Sequence, residues 1–243
     1  MLSYDRRGDA AWITIDRPEK RNAIHVEGWR ELARLLERAE AEARAAVLTG
    51  VGDAFCAGDD IEVIDGAETA AEVEELGDCL HEALFGVEKL DVPVIAAVNG
   101  LAYGGGMELV VGCDLAVAVE GATFALPETR IGAYPPYAVE RVAAVGGRKR
   151  LMELSLTGEP IDADRALDWG LVNRVVPEWE LEPTVETFVE RIAESPAASI
   201  ATAKRHAARS ASDAGARDRV VGALSQLRRD DDCRDATRAF LER

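Results

Sequence analysis

Lysine is nearly missing from this chain: only four of its 28 basic residues are lysines (Lys20, Lys89, Lys149 and Lys204). Long apolar runs are missing too, so no segment is a candidate for spanning a bilayer. The start, Met1-Leu2-Ser3-Tyr4-Asp5-Arg6-Arg7, has no apolar stretch of the signal-peptide kind. A soluble, cytoplasmic protein is expected. The four cysteines (Cys56, Cys79, Cys113, Cys233) show no CxxC spacing and no histidine at zinc-ligand spacing. Reduced thiols and no bound metal are expected. Cys56 lies beside a glycine turn, but no histidine stands near it to activate it as a nucleophile. There is no internal repeat and no low-complexity linker.

Positive charge is the other shortage. The chain has 45 acidic and 28 basic residues, a formal charge of −17. Such a chain is repelled by nucleic-acid phosphate and by anionic membranes, so neither is an expected partner. The acidic excess is spread along the chain rather than gathered in a tail. With so few lysines, this pattern reads as adaptation to high salt, which screens the self-repulsion of an acidic surface.

What is present is enough for a full core: 243 residues, 48% hydrophobic. The first part alternates strands and helices. Ala11–Ile15 reads as a strand ended by Arg17-Pro18. Asn22 leads into a helix whose apolar positions are Val26, Trp29, Leu32, Leu35, Leu36 and Ala39. Strands are expected at Ala46–Thr49, Val94–Val98, Leu115–Val119 and Thr123–Ala125. Helices are expected over about 68–88, with Leu76, Leu80, Leu84 and Val87 on one face, and from Met107. Pro136 fits the first turn of a helix through Val139 and Val142. Beyond about 147 the chain turns helical, at Arg148–Leu156, Ala163–Trp169, Glu180–Ala193, Ser199–Ser210 and after Gly215. Leu171–Val176 is the one strand candidate there. The division is an α/β core over 1–146 and a helical region over 147–243.

Two glutamates stand beside backbone features suited to acyl chemistry. Glu108 closes Tyr103-Gly104-Gly105-Gly106-Met107-Glu108. Glu128 closes Phe124-Ala125-Leu126-Pro127-Glu128 and precedes Ile131-Gly132. A second glycine turn lies in Phe55-Cys56-Ala57-Gly58-Asp59-Asp60-Ile61. The triple glycine would sit at a helix N-terminus, where free N–H groups and the dipole favour negative charge. A carboxylate pair can move protons if burial and mutual repulsion raise one member toward neutrality.

In their order and spacing these segments resemble the enoyl-CoA hydratase/isomerase (crotonase) superfamily. The resemblance runs from Ile13-Thr14-Ile15-Asp16-Arg17-Pro18 to Ala166-Leu167-Asp168-Trp169-Gly170-Leu171-Val172-Asn173. It implies a spiral of ββα units with a helical C-terminal region that builds trimers, often paired into hexamers. It implies an acyl-CoA substrate, no separate cofactor, and a thioester carbonyl held between the N–H groups of Asp59 and Gly105. It also implies that Glu108 activates water and Glu128 protonates the α-carbon, and keeping both favours hydration. By family position, Arg17, Lys20 and Arg21 are candidates for the phosphates of CoA, and Ala23 and Ala57 for the adenine pocket.

One departure stands out. The resemblance leads one to expect a glycine-rich stretch after the second glutamate, with an N–H that helps hold the catalytic water. This chain reads Gly132-Ala133-Tyr134-Pro135-Pro136-Tyr137-Ala138, and Pro136 has no N–H to give. Either the two glutamates hold the water alone, or the reaction is an isomerisation or the hydration of a cyclic dienoyl-CoA. Tyr134, Pro136 and Tyr137 would line the acyl pocket and favour short or flat chains. The classes set against the enzyme are an RNA-binding module, which the charge opposes, and a non-catalytic scaffold trimer.

Overall fold

A computed structural model of the protein describes residues 1–66 and 69–209 and scattered positions from 221 to 242. Its strands are β1 (Leu2–Arg7), β2 (Ala10–Ile15), β3 (Ala45–Gly50), β4 (Ala54–Cys56), β5 (Val94–Val98), β6 (Leu101–Tyr103), β7 (Leu115–Val119), β8 (Thr123–Ala125), β9 (Ile161–Asp162) and β10 (Arg174–Val176). Its helices are α1 (Val26–Glu42), α2 (Ile61–Gly66), α3 (Ala70–Lys89), α4 (Gly105–Gly112), α5 (Ala138–Val145), α6 (Arg148–Thr157), α7 (Ala163–Asp168), α8 (Leu181–Ala193) and α9 (Ala197–Arg209). One sheet has the order β1-β2-β3-β5-β7-β10 and a smaller one the order β4-β6-β8-β9. Neighbours run parallel, except β1 with β2 and β8 with β9.

Three times the chain lays a strand in the large sheet, crosses to the small one and enters helix: β3-β4-α2-α3 and β5-β6-α4 return directly to the large sheet, while β7-β8-α5-α6 revisits the small sheet at β9 before α7 leads to β10. This is the expected ββα spiral. Inner parallel strands are covered on both faces and so must be apolar throughout. Every residue of β5 is buried, and so are Ala45–Leu48 of β3. β1 was not evident in the sequence because it is a polar edge strand; only its alternate residues Leu2 and Tyr4 pack on the core. After 147, β9 joins the small sheet and β10 the large one.

Helix α1 begins four residues later than the expected start at Asn22. His25 caps it, its Nδ1 accepting from Gly28 N at 3.0 Å. Asn22 is instead fully buried with φ 60°. Its Oδ1 accepts from Arg17 N at 2.9 Å, and its Nδ2 donates to Val51 O at 3.0 Å and Ala54 O at 2.7 Å. It therefore bolts the opening turn onto the β3–β4 turn. Helix α3 opens on a capping box of Thr69 and Glu72. Helix α5 starts at Ala138, so Pro136 lies in the turn ahead of it, where Val139 N reaches Pro135 O at 3.2 Å. The strand expected at Leu171–Val176 shortens to Arg174–Val176. Lys204 is buried and fastens α9 to the core, with Nζ 2.6 Å from Asp114 Oδ2 and 2.8 Å from Val92 O. Among the described residues no helix is long and apolar enough to cross a membrane. The helix expected after Gly215 falls mostly outside the described residues, and so does Cys233.

Candidate active site

The two glycine turns meet. Gly58 ends the turn after β4 with φ 94°, and a Cβ there would lie 2.8 Å from Gly105 N. Gly104 has φ 53°, a conformation that other residues rarely adopt. Gly106 seats the start of α4 against β4: a Cβ on it would lie 2.1 Å from Cys56 O. Gly105 opens α4, so its N–H has no carbonyl one turn back within the helix. The peptide of Asp59 is bracketed by Ile24 N donating to Gly58 O (2.8 Å) and Asp60 N donating to Ile24 O (2.9 Å). Gly58, the neighbour of Asp59, and Gly105 are thus packed together by a contact that leaves no room for a side chain on Gly58.

Glu108 lies in the first turn of α4 and is 1% exposed. Its Oε1 accepts from Tyr137 N and Ala138 N, both at 2.8 Å. Both donors directly follow the Pro135-Pro136 pair, so the residues that lack N–H groups are followed by two that grip the catalytic candidate. Burial raises the Glu108 carboxyl to about 8, opposed by the N–H of Ala138; the charge of Asp59 raises it further, and the N–H of Tyr137 lowers it. Glu128 opens a short 3-10 turn after Pro127. Both its oxygens are buried and reach no hydrogen-bond partner on another residue. One lies 3.3 Å from where a Cβ on Gly104 would be. Burial first, then the charge of Glu108, pushes its carboxyl well above the usual range. Asp59 completes a group of three carboxyls. Its Oδ1 accepts from Trp29 Nε1 at 2.8 Å, and burial raises it to about 6. Among the described residues no lysine or arginine forms an ion pair with any of the three.

The two glutamates are held unequally. Both glutamates disfavour ionisation, but two N–H donors from other residues favour charge on Glu108, while Glu128 has only its own backbone N–H to favour it. The two carboxyls titrate as a coupled pair, so a proton can be held between them. Cys56 is not a thiolate: burial pushes it up to about 12, and its Sγ accepts from Gly58 N at 3.3 Å.

The other expected site residues are placed as follows. Arg17 donates from Nη1 to Asp60 Oδ2 (2.7 Å) and Ala23 O (3.1 Å), which ties it into the opening turn. Lys20 pairs with Glu62 at 2.8 Å on the surface. Arg21 is exposed, caps the turn with φ 50°, and forms no ion pair among the described residues. Its carbonyl accepts from Ala57 N at 3.0 Å, which brings Ala57 beside Ala23 and the basic turn. Tyr134 is half-buried and Pro136 buried. The ring of Tyr137 is fully buried, edge-on to Phe85, and its hydroxyl donates to Glu88 Oε1 at 2.6 Å. Its ring thus belongs to the core, and its backbone N–H faces Glu108. Sequence reading did not single out Trp29 or the N–H groups of Tyr137 and Ala138. For Trp29 a signal existed, since a buried indole N–H needs an acceptor.

The model of the enoyl-CoA hydratase/isomerase family matches residues 6–243. A carnitinyl-CoA dehydratase of Citrobacter koseri is 37% identical over 207 residues, 84% of this chain and 78% of that one. A probable enoyl-CoA hydratase of Rhodobacter capsulatus is 34% identical over 249 residues, covering 100% of this chain and 95% of its own. The crystal structure of a carnitinyl-CoA hydratase from Mycobacterium avium superposes with a TM-score of 0.84 at 37% identity, covering 99% of this chain and 95% of that one.

Proposed function

The chain belongs to the enoyl-CoA hydratase/isomerase family, and from that premise we propose that it is an enoyl-CoA hydratase, adding water reversibly across the 2,3 double bond of an enoyl-CoA thioester. The observation that carries this reading is the unequal pair of glutamates with buried carboxyl oxygens, Glu108 gripped by two backbone N–H groups and Glu128 without a partner on another residue. Ionised Glu108 takes a proton from water as its oxygen adds to C3. The electron pair of the double bond moves onto the thioester oxygen, which the N–H groups of Asp59 and Gly105 receive as an oxyanion. Protonated Glu128 then delivers its proton to C2, and the thioester carbonyl re-forms. The proton now on Glu108 passes back to Glu128 to reset the pair. Donors fixed before the reaction cost no reorganisation, and one such donor is worth about 10²–10³ in kcat.

With Pro136 unable to donate, the water is held by the two carboxyls, and Glu108 is itself held by the N–H groups that follow. Arg21 and Lys20 face the phosphates of CoA, Lys20 exchanging Glu62 for phosphate, while Arg17 shapes the turn that carries them. Ala23 and Ala57 flank the adenine. Tyr134 and Pro136 border the acyl chain, with Tyr137 behind them. CoA enters only as part of the substrate. The protein works in the cytoplasm at high salt, as a trimer or a dimer of trimers. The same steps run backward dehydrate a 3-hydroxyacyl thioester, and similarity to carnitinyl-CoA dehydratases makes carnitinyl-CoA a second substrate to try.

A kinetic screen at high salt tests this reading, following loss of the enoyl-thioester absorbance with crotonyl-CoA, longer 2-enoyl esters and a cyclic dienoyl ester, and gain of that absorbance with a 3-enoyl ester. Turnover of 2-enoyl esters is expected. Turnover of only a 3-enoyl ester would make the protein an isomerase instead.

A further inference from the structure

The oxyanion position carries a side chain that the proposed chemistry does not use. Asp59 directs its carboxylate inward, where Trp29 Nε1 donates to Oδ1 at 2.8 Å. Oδ2 lies 3.3 Å from where a Cβ on Gly105 would be, and the Trp29 ring lies 3.1 Å from the same point. Trp29 is fully buried in α1, and Ile24 fixes the Asp59 peptide from the turn before that helix. One side chain therefore links three elements: the helix that supplies Trp29, the turn that supplies the first N–H donor, and the head of α4 that supplies the second. We infer that Asp59 is a positioning residue: its carboxylate, held by the Trp29 indole and set against Gly105 where a side chain would otherwise stand, fixes the spacing of the two N–H donors that receive the thioester oxygen.

This role rests on the hydratase reading for its purpose and on contacts alone for its geometry. The charge of Asp59 has a second consequence. The titratable groups that face Asp59 are Cys56, Glu108 and Glu128, and its negative charge raises all three. Asparagine in its place can keep the bond from Trp29 and the contact with Gly105 while removing the charge. Alanine removes all of it.

The test uses Asp59→Ala, Asp59→Asn and Trp29→Phe in the full chain, with two readouts. One is kcat and KM against pH with crotonyl-CoA. The other is the near-ultraviolet enolate band of bound acetoacetyl-CoA, which reports the donor pair without any turnover. Asp59→Ala and Trp29→Phe should lose about 10- to 100-fold in kcat, the cost of misplacing a group by up to about 1 Å, and should weaken the enolate band. Asp59→Asn should recover most of both and move both limbs of the kcat profile to lower pH, because each glutamate then ionises more easily. Two results on the variants overturn the inference. One is an enolate band and kcat in Asp59→Ala and Trp29→Phe equal to those of the unsubstituted chain. The other is an Asp59→Asn variant as impaired as Asp59→Ala. An unsubstituted chain that forms no enolate band overturns it as well. Because the band needs no turnover, the role of Asp59 is tested even in a chain that hydrates no ester.

Discussion

Glu108→Gln separates the chemistry of this site from its fold. Glutamine has nearly the same size, and its side-chain oxygen can accept both bonds that Tyr137 and Ala138 now give to Oε1. The proton acceptor is lost, and removing a positioned general base should cost about 10²–10⁴-fold in kcat with crotonyl-CoA. KM should move far less, because Glu108 serves the reacting atoms rather than CoA. Stability should change in the opposite direction. The Glu108 carboxyl stands at about 8 in the fold, against about 4.3 in an unfolded chain. Between those values the folded state keeps a proton that the unfolded state has released. Stability from this group is therefore full below the lower value and is lost as pH rises to the upper one. Glu108→Gln removes that loss, so the variant should melt above the parent near pH 8 and the gap should close toward pH 4. Thermal melts across pH, paired with initial rates, test both halves. A kcat loss below about tenfold would mean that Glu108 is not the base, and a melting gap independent of pH would mean that the fold does not hold it protonated.

Three further outcomes follow from particular contacts. Gly106→Ala places a methyl 2.1 Å from Cys56 O, so α4 must move off β4; thermal melting should show a loss of several kcal/mol, beyond the ordinary ~1–3 kcal/mol for overpacking. Arg21→Ala removes an exposed cation near the expected phosphates and should raise KM for enoyl-CoA with little change in kcat; an unchanged KM counts against that placement. Raising the salt from about 0.1 M to about 1 M shortens the screening length from about 10 Å to about 3 Å. With a net charge of −17, the melting temperature should climb over that range, and a flat response would remove the high-salt reading.

Much of this site was legible in the sequence because glycine and carboxylate are constrained by chemistry rather than by neighbours. Gly58 and Gly104 need conformations that few residues adopt, and Glu108 sits one helical turn after the glycines that open α4. The elements with unbroken apolar runs, such as Val94–Val98, were legible for the same reason: burial on both faces leaves no polar choice. What the residues did not reveal depends on partners distant in sequence. Asn22 reads locally as a helix start, yet its amide is committed to Val51 and Ala54, about thirty residues on. β1 is masked by the charges of an edge strand. The double proline reads as the loss of a donor at Pro136, and only the folded turn puts the next two N–H groups on Glu108. Tyr137 reads as pocket lining until its hydroxyl finds Glu88, far off in α3.

Oxygen-18 water tests directly whether Glu108 and Glu128 add water to an enoyl thioester. Crotonyl-CoA incubated with the protein at high salt should become a 3-hydroxyacyl thioester carrying one heavy oxygen, as read by mass spectrometry. The label should be absent in Glu108→Gln and in Glu128→Gln over the same time. Unlabelled product from the parent chain, or full labelling by either variant, would rule out hydration by this glutamate pair.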